Sequence, residues 1–109
     1  GKAFLGRLEP AERAAQIARL PLDLHTPNTI AERETLEADL TQGVAKGYFV
    51  TRGENVVDVM GLATTVEVFG DVFGVAIAAP LARMEAEETT QAARLLAVRD
   101  RLEALGGSL

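Results

Sequence analysis

The stretch from Thr29 to Glu54 constrains the fold most, because it joins a helix with two defined ends to a short apolar strand. Thr29 and Glu32 have the spacing of a capping box. In this motif the Thr side chain accepts a hydrogen bond from the backbone N–H three residues later, and the Glu side chain accepts one from the backbone N–H of the Thr. The helix is therefore predicted to begin at this box. Gly47 marks its other end, because glycine adopts the left-handed conformation that stops a helix at little cost.

Apolar residues inside this helix define the face that it buries. Leu36, Leu40 and Val44 recur every four residues and are predicted to form one stripe. Residues 48–51 follow the stop directly, and their aromatic and β-branched side chains favour a strand. The stretch therefore predicts a helix, a tight stop and a strand in succession.

Proline and turn residues divide the rest of the chain. Pro10, preceded by Glu9, is typical of a first helical position and predicts a short helix to about Leu20. Residues 56–68 and 72–79 are rich in β-branched and small apolar side chains and predict two strands. Gly70-Asp71 between them indicates a turn, so the two strands are expected to pair antiparallel as a hairpin.

A long helix is predicted from Met84 to Leu105, ended by Gly106 and Gly107. Its expected apolar stripe consists of Leu95, Val98, Leu102 and Leu105. The order of helix, helix, strand, hairpin and helix favours an α+β fold in which helices pack against an antiparallel sheet.

Composition excludes several classes of protein. The 109 residues suit one small domain, and the absence of cysteine rules out disulfides and agrees with a cytoplasmic location. A net charge of -5, with scattered basic residues, argues against nucleic-acid binding by this segment. No apolar run approaches the roughly 18 residues of a membrane span, so no membrane partner is expected.

Side chains for nucleophilic or metal chemistry are scarce. Ser108 is the only serine and His25 the only histidine, so a hydrolase triad is disfavoured and no catalytic residue is assigned. His25 has only Asp23 nearby, too few ligands for a metal site. We therefore expect no metal, no cofactor and no enzyme activity.

Two groups of carboxylates admit more than one interpretation. Glu85, Glu87 and Glu88 lie near the predicted start of the long helix, where the helix dipole favours acidic residues, and this is preferred over a catalytic pair. Glu54 follows Gly53 and precedes an apolar strand. It is either a functional carboxylate or a cap of the connection between two strands.

Several short segments, in their order and spacing, resemble the effector-binding domain of IclR-type transcription regulators. The segments are Gly1-Lys2-Ala3-Phe4-Leu5, residues 25–30, residues 36–40, Gly47-Tyr48, Glu54, and residues 76–80 with the helix that follows. The resemblance implies a GAF-like fold for residues 1–109, as the C-terminal part of that domain. It also implies that DNA is bound by a separate winged helix-turn-helix domain outside this chain.

The resemblance also implies where an effector binds. Thr51 takes the place where many members have an effector-contacting Asp, and Gly61 the place of a Cys. Ala76 and Ala78 take the places of a Ser-x-Ser pair. These four residues are therefore the expected effector-binding residues. Because all four are smaller or less polar than usual, the pocket is expected to prefer a less polar effector or to bind none.

Members of the family act as dimers or tetramers whose DNA affinity a small molecule shifts, so a small-molecule effector and a second copy are the expected partners. The resemblance places the family's first strands upstream of Gly1. A strand edge should then be exposed or covered by another chain, and we expect association through sheet edges or the long helix. The alternative is an oligomerisation or structural module whose pocket has lost ligand binding.

Overall fold

Helices cover both faces of a three-stranded antiparallel sheet in the computed structural model, which describes residues 1–21, 27, 30, 32–54 and 56–107. Chain order gives α1 (Lys2–Leu5), α2 (Pro10–Arg19), α3 (Arg33–Lys46), β1 (Phe49–Arg52), β2 (Val59–Val68), β3 (Asp71–Pro80) and α4 (Leu81–Gly107). The sheet order is β1-β2-β3. The predicted α+β class is confirmed, and the short helix α1 was not predicted.

The two helices before the sheet differ in how well their starts were predicted. α2 begins at Pro10 with Glu9 as its N-cap, as expected. α3 begins at Arg33, later than the predicted capping box; Thr29 lies outside the described residues, and Glu32 is the N-cap without a side-chain capping bond. Arg33 itself donates hydrogen bonds to the carbonyls of residues 17, 18 and 20, which satisfies the end of α2 and fixes where α3 starts.

The end of α3 carries one confirmed prediction and one wrong one. Gly47 has φ 86°, the left-handed stop that was expected. Leu36 and Leu40 are buried, but Val44 is 52% exposed. The buried position in that turn is Gly43, because the ring of Phe49 occupies the space where a larger side chain would lie. The helix therefore buries a smaller surface there than the apolar pattern predicted.

The predicted hairpin forms, with its turn one residue earlier than expected. Val68 pairs with Asp71, so the connecting residues are Phe69 and Gly70, with φ values of 54° and 82°. Two successive positive φ values match the turn type that suits the twist of a two-residue hairpin. Gly70 fits this readily, whereas Phe69 is an uncommon choice that sequence alone did not indicate.

α4 is longer than predicted at both ends and packs along the hairpin. Met84, Ala92 and Leu95 are buried against the sheet. Val98 and Leu105 of the expected stripe are 45% and 61% exposed, because a three-stranded sheet is too narrow to cover the full width of that stripe. Gly106 lies inside the helix, close to the backbone at the hairpin turn. None of the described helices is long and apolar enough to cross a membrane.

The two faces of the sheet have separate cores. On one face, Met60 and Leu62 of β2 pack against Met84 and Leu95 of α4. On the other face, Phe49 packs with one residue each from α1 and α2 and two from α3: Ala3, Ile17, Leu36 and Leu40. The helices α1 to α3 cover the β1 side of this second face, which leaves its β3 side open.

A small-residue cleft on the open face of the sheet

A cavity of about 500 Å³ occupies the second face of the sheet beside α1. Its described lining consists of residues 1–4, Phe49, Thr51, Val56, Val59, residues 61–64 and residues 74–78. Sites for small organic ligands have volumes of roughly 300–1,000 Å³ and mainly apolar walls. The cavity, called the cleft below, therefore has the size and the surface of a small-molecule site.

The four residues expected to bind an effector all line the cleft. Thr51 pairs with Gly61 across β1 and β2, and Gly61 pairs with Ala78 across β2 and β3, so the three form one row. Ala76 lies in the next row on the same face, since side chains two residues apart in a strand point the same way. The structure thus brings together residues that are up to 27 positions apart, Thr51 to Ala78.

Gly61 lies at the centre of this row, and because it has no side chain, no atoms project from it into the cleft. A Cβ atom at residue 61 would lie 3.0 Å from Oγ1 of Thr51 and 3.7 Å from the carbonyl oxygen of Ile77. Any side chain at this position would therefore press on Thr51. Ala78 and Ala76 add only methyl groups, so the floor of the cleft is mostly backbone and short side chains.

Lys2 lies at the rim of the cleft and joins α1 to the rest of the domain. Its Nζ donates to the carbonyl of Val50 at 2.8 Å and lies 2.8 Å from Oε1 of Glu54. It also lies 2.6 Å from Oδ2 of Asp39, a close ionic contact outside hydrogen-bonding angles. The side chains of Lys2 and Glu54 are 13% and 14% exposed, so this ion pair is largely shielded from water.

Glu54 caps the connection between β1 and β2, the simpler of the two interpretations given above. Besides its pairing with Lys2, it accepts a hydrogen bond from the backbone N–H of Arg52 at 3.0 Å. Sequence reasoning did not identify Lys2 as its partner, nor Asp39 as the second carboxylate that pairs with Lys2. Gly74 of the lining could have been found, because it continues the alternation of Ala76 and Ala78 along β3.

The acidic residues of α4 lie on the other face of the sheet. Because α4 begins at Leu81, its first turn contains no acidic residue, and the expected interaction with the helix dipole does not hold for Glu85, Glu87 and Glu88. Glu88 instead accepts a hydrogen bond from the Tyr48 hydroxyl at 2.9 Å and pairs with Arg52 at 2.6 Å. Burial and the bond to Glu88 raise the pKa of Tyr48 above its ordinary value of 10.0.

The described residues contain no group of three potential metal ligands. His25, Asp23 and Ser108, which were considered for metal or catalytic chemistry, lie outside the described residues. The lining hydroxyl on the cleft face is that of Thr51. The side chain of Thr64 lies on the opposite face, with Met60 and Leu62, and its Oγ1 donates to the carbonyl of Gly47 at 3.0 Å. The described part of the cleft is thus suited to holding a molecule by shape and apolar contact.

The sequence model of the bacterial transcriptional regulator IclR C-terminal domain matches residues 1–102. The chain belongs to this family. The resemblance stated from the short segments is thereby confirmed over nearly the whole chain. Members of the IclR family are transcriptional regulators, so the assignment places the chain outside the enzymes. No curated protein sequence matches the chain.

Solved structures with the same fold come from regulators of several bacteria. A transcriptional regulator from Rhodococcus sp. RHA1 is 22% identical with a TM-score of 0.86, and the match covers 98% of this chain and 45% of that one. The C-terminal domain of E. coli KdgR is 25% identical with a TM-score of 0.83, covering 97% of this chain and 66% of that one.

A third structure is a double mutant of the inducer-binding domain of the PobR transcription factor from Acinetobacter in complex with 3-hydroxybenzoic acid. It is 18% identical with a TM-score of 0.76, and the match covers 94% of this chain and 61% of that one. The chain thus spans less than half the length of the Rhodococcus regulator and about two thirds of the two isolated domains.

Proposed function

We propose that the chain is the small-molecule-sensing part of an IclR-type DNA-binding transcription regulator, and that a ligand in the cleft shifts the protein's assembly and its affinity for DNA. The observation that carries this proposal is the convergence of Thr51, Gly61, Ala76 and Ala78 on one cavity of about 500 Å³. A regulator of this kind responds only if the ligand binds one arrangement of the protein better than another.

The PobR inducer-binding domain supports a small organic molecule as the ligand of such a fold, because a double mutant of that domain was solved in complex with 3-hydroxybenzoic acid. DNA contact belongs to a domain outside these 109 residues, in agreement with the acidic charge of -5. A regulator of DNA acts where the chromosome lies, so the proposal includes a cytoplasmic location.

Self-association as a dimer or tetramer is part of the proposal. β3 forms one edge of the described sheet, and residues 72–79 carry no charged side chain that would discourage pairing with another strand. Phe73 on this strand is 52% exposed. We expect a second copy to cover this edge or the outer face of α4.

The test is a thermal-shift screen of small metabolites on the intact protein, followed by titration calorimetry of each hit. A specific ligand should raise the melting temperature in a saturable manner, as mass action requires. Ala78→Leu would fill the floor of the cleft and should abolish the shift. Ala93→Leu adds the same side chain at an exposed position on α4 and should leave the shift intact.

The second candidate is an oligomerisation or structural module whose pocket no longer binds a ligand. It is favoured by the smaller or less polar residues at all four expected effector positions relative to the usual family pattern. Saturable binding that Ala78→Leu removes would exclude it. Stable oligomers without any ligand that shifts the melting temperature would exclude the sensing function.

A further inference from the structure

Charge at the cleft is concentrated in one side chain. Lys2 is the only residue with a charged side chain among the described residues that line the cleft. Among these side chains, Lys2 alone could form an ion pair with an anionic ligand. Whether a side chain of the cleft can bind an anion thus depends on whether Lys2 is available.

The ammonium of Lys2 is already engaged. Nζ of Lys2 donates hydrogen bonds to Glu54 and to the carbonyl of Val50, and the carboxylate of Asp39 lies 2.6 Å away as an ionic contact. The side chain is only 13% exposed. A ligand carboxylate at Nζ would therefore have to compete with two protein carboxylates, and displacing either of them would cost free energy at a shielded site.

The local balance of charge also opposes an anion. The one ammonium pairs with two carboxylates that do not themselves line the cleft, so the cluster of Lys2, Asp39 and Glu54 carries one net negative charge when all three are ionised. A carboxylate in the cleft would be repelled by that surplus. A neutral molecule would experience no such repulsion.

The floor of the cleft offers no substitute for a cation. Gly61, Ala76 and Ala78 have no side-chain donor, and the hydroxyl of Thr64 is engaged by the carbonyl of Gly47. Thr51 contributes a single hydroxyl at the edge of the row. Apart from Lys2, the side chains of the described walls are therefore mainly apolar, with the Thr51 hydroxyl as the polar group on this face.

We infer that the cleft binds an uncharged, predominantly apolar small molecule and discriminates against carboxylates, with the Lys2 cluster as the element that sets this specificity. The inference rests on the proposed sensing function and adds the chemical class of its ligand. Lys2 acts as a tie between α1, α3 and β1 instead of as an anion receptor.

The test compares acids with their methyl esters, which have similar shape and differ in charge. Titration calorimetry on the intact protein would use benzoate against methyl benzoate, and cyclohexanecarboxylate against its methyl ester. We expect at least one ester to bind at least about tenfold more tightly than its acid. Acids that bind as tightly as their esters, or a lack of binding by both esters, would overturn the inference.

A charge-releasing variant tests the role assigned to Lys2. Asp39→Asn combined with Glu54→Gln frees the ammonium while keeping side chains of similar size, and the affinity for benzoate should rise at least about tenfold with little change for the ester. The control, Glu85→Gln with Glu87→Gln, removes the same charge from exposed positions on α4. An equal rise in the control would overturn the local role of Lys2.

These outcomes separate the inference from the function on which it rests. If carboxylates bind in the cleft and Ala78→Leu abolishes their binding, the ligand class is wrong and the sensing function stands. If no compound in the metabolite screen binds, the sensing function itself fails. If the charge-releasing variant does not fold, the comparison of acids with esters on the unaltered protein still decides the inference.

Discussion

Thr51 and Gly61 face each other across β1 and β2, and a Cβ atom on Gly61 would lie 3.0 Å from Oγ1 of Thr51. Gly61→Ala should therefore be tolerated better when Thr51 is also shortened. A double-mutant cycle with Thr51→Ala should give a coupling energy of about 1 kcal/mol, within the range of roughly 0.5–3 kcal/mol for contacting residues. Urea unfolding of the four proteins measures it.

The cycle is more informative than the single change, because alanine also lowers the entropy of the unfolded chain relative to glycine. Thr41→Ala on the exposed face of α3 serves as the control partner for Gly61→Ala. Additive effects in both cycles would contradict the close approach between residues 51 and 61.

Gly43→Ala tests the packing of Phe49 on α3. Alanine in place of glycine in an exposed helix raises stability by up to about 1 kcal/mol. Here the added methyl group would overlap the Phe49 ring, so we expect destabilisation by about 1–3 kcal/mol. Chemical denaturation gives the sign directly, and a more stable Gly43→Ala protein would refute the contact.

Lys2→Met tests the cluster at the rim of the cleft. It leaves Asp39 and Glu54 without their shared cation and should destabilise the fold by about 2 kcal/mol. This is less than the roughly 3–5 kcal/mol of a fully buried pair, because the Asp39 side chain is 29% exposed.

Arg7→Met provides the matched control for Lys2→Met. Arg7 forms an ion pair with Glu67, and the two side chains are 37% and 56% exposed. Loss of this pair should therefore lower the free energy of unfolding by less than about 1 kcal/mol. Both values come from urea unfolding. Equal effects of the two substitutions would show that the Lys2 cluster adds nothing beyond a surface ion pair.

The raised pKa of Tyr48 predicts that the folded protein loses stability at high pH. Its pKa is raised in the folded protein by burial and by the bond to Glu88, so the folded state holds the phenol proton more tightly than the unfolded state. The resulting stabilisation is complete below pH 10.0 and is lost as the pH rises through the folded pKa. Glu88→Gln should lower the pKa of Tyr48.

Absorbance titration of the phenol is unambiguous here, because the chain has one tyrosine and no tryptophan. Glu87→Gln, one position along α4 and without a bond to Tyr48, should leave the titration unchanged. A midpoint for Tyr48 that Glu88→Gln does not move would contradict the assigned bond.

Association of the 109-residue chain should depend on the edge of β3. Phe73→Lys places a charge on this edge and should shift the protein toward monomers, because edge charges oppose strand pairing. Val98→Lys places the same charge on α4, where the side chain is 45% exposed. Light scattering separates the two surfaces, and a monodisperse monomer without any substitution would contradict association altogether.

Local chemistry explains why some elements could be predicted. Gly47 ends α3 because only glycine adopts φ 86° at little cost, and the β-branched residues of β2 indicate a strand. Val44 was assigned to the core from its spacing alone, whereas the buried position in that turn is Gly43, beside the ring of Phe49. The spacing of apolar residues within one helix carries no information about which side chains of other elements pack against it.

The candidate site also has residues that could be predicted from the sequence and residues that could not. The family resemblance supplied all four expected effector residues, and the period-2 alternation of β3 explains why Ala76 and Ala78 lie on one face. The Lys2 cluster could not be predicted, because its carboxylates lie 37 and 52 residues away in sequence, at Asp39 and Glu54. Only the three-dimensional arrangement shows that this cation is occupied.

α4 is fastened at both ends to the hairpin that precedes it. The Leu81 N–H donates to the carbonyl of Asp58 at 2.7 Å, and Gly106 lies against the backbone of Val68 and Phe69. The hairpin and α4 are therefore joined at both ends of the helix, and together they form a unit that resists bending.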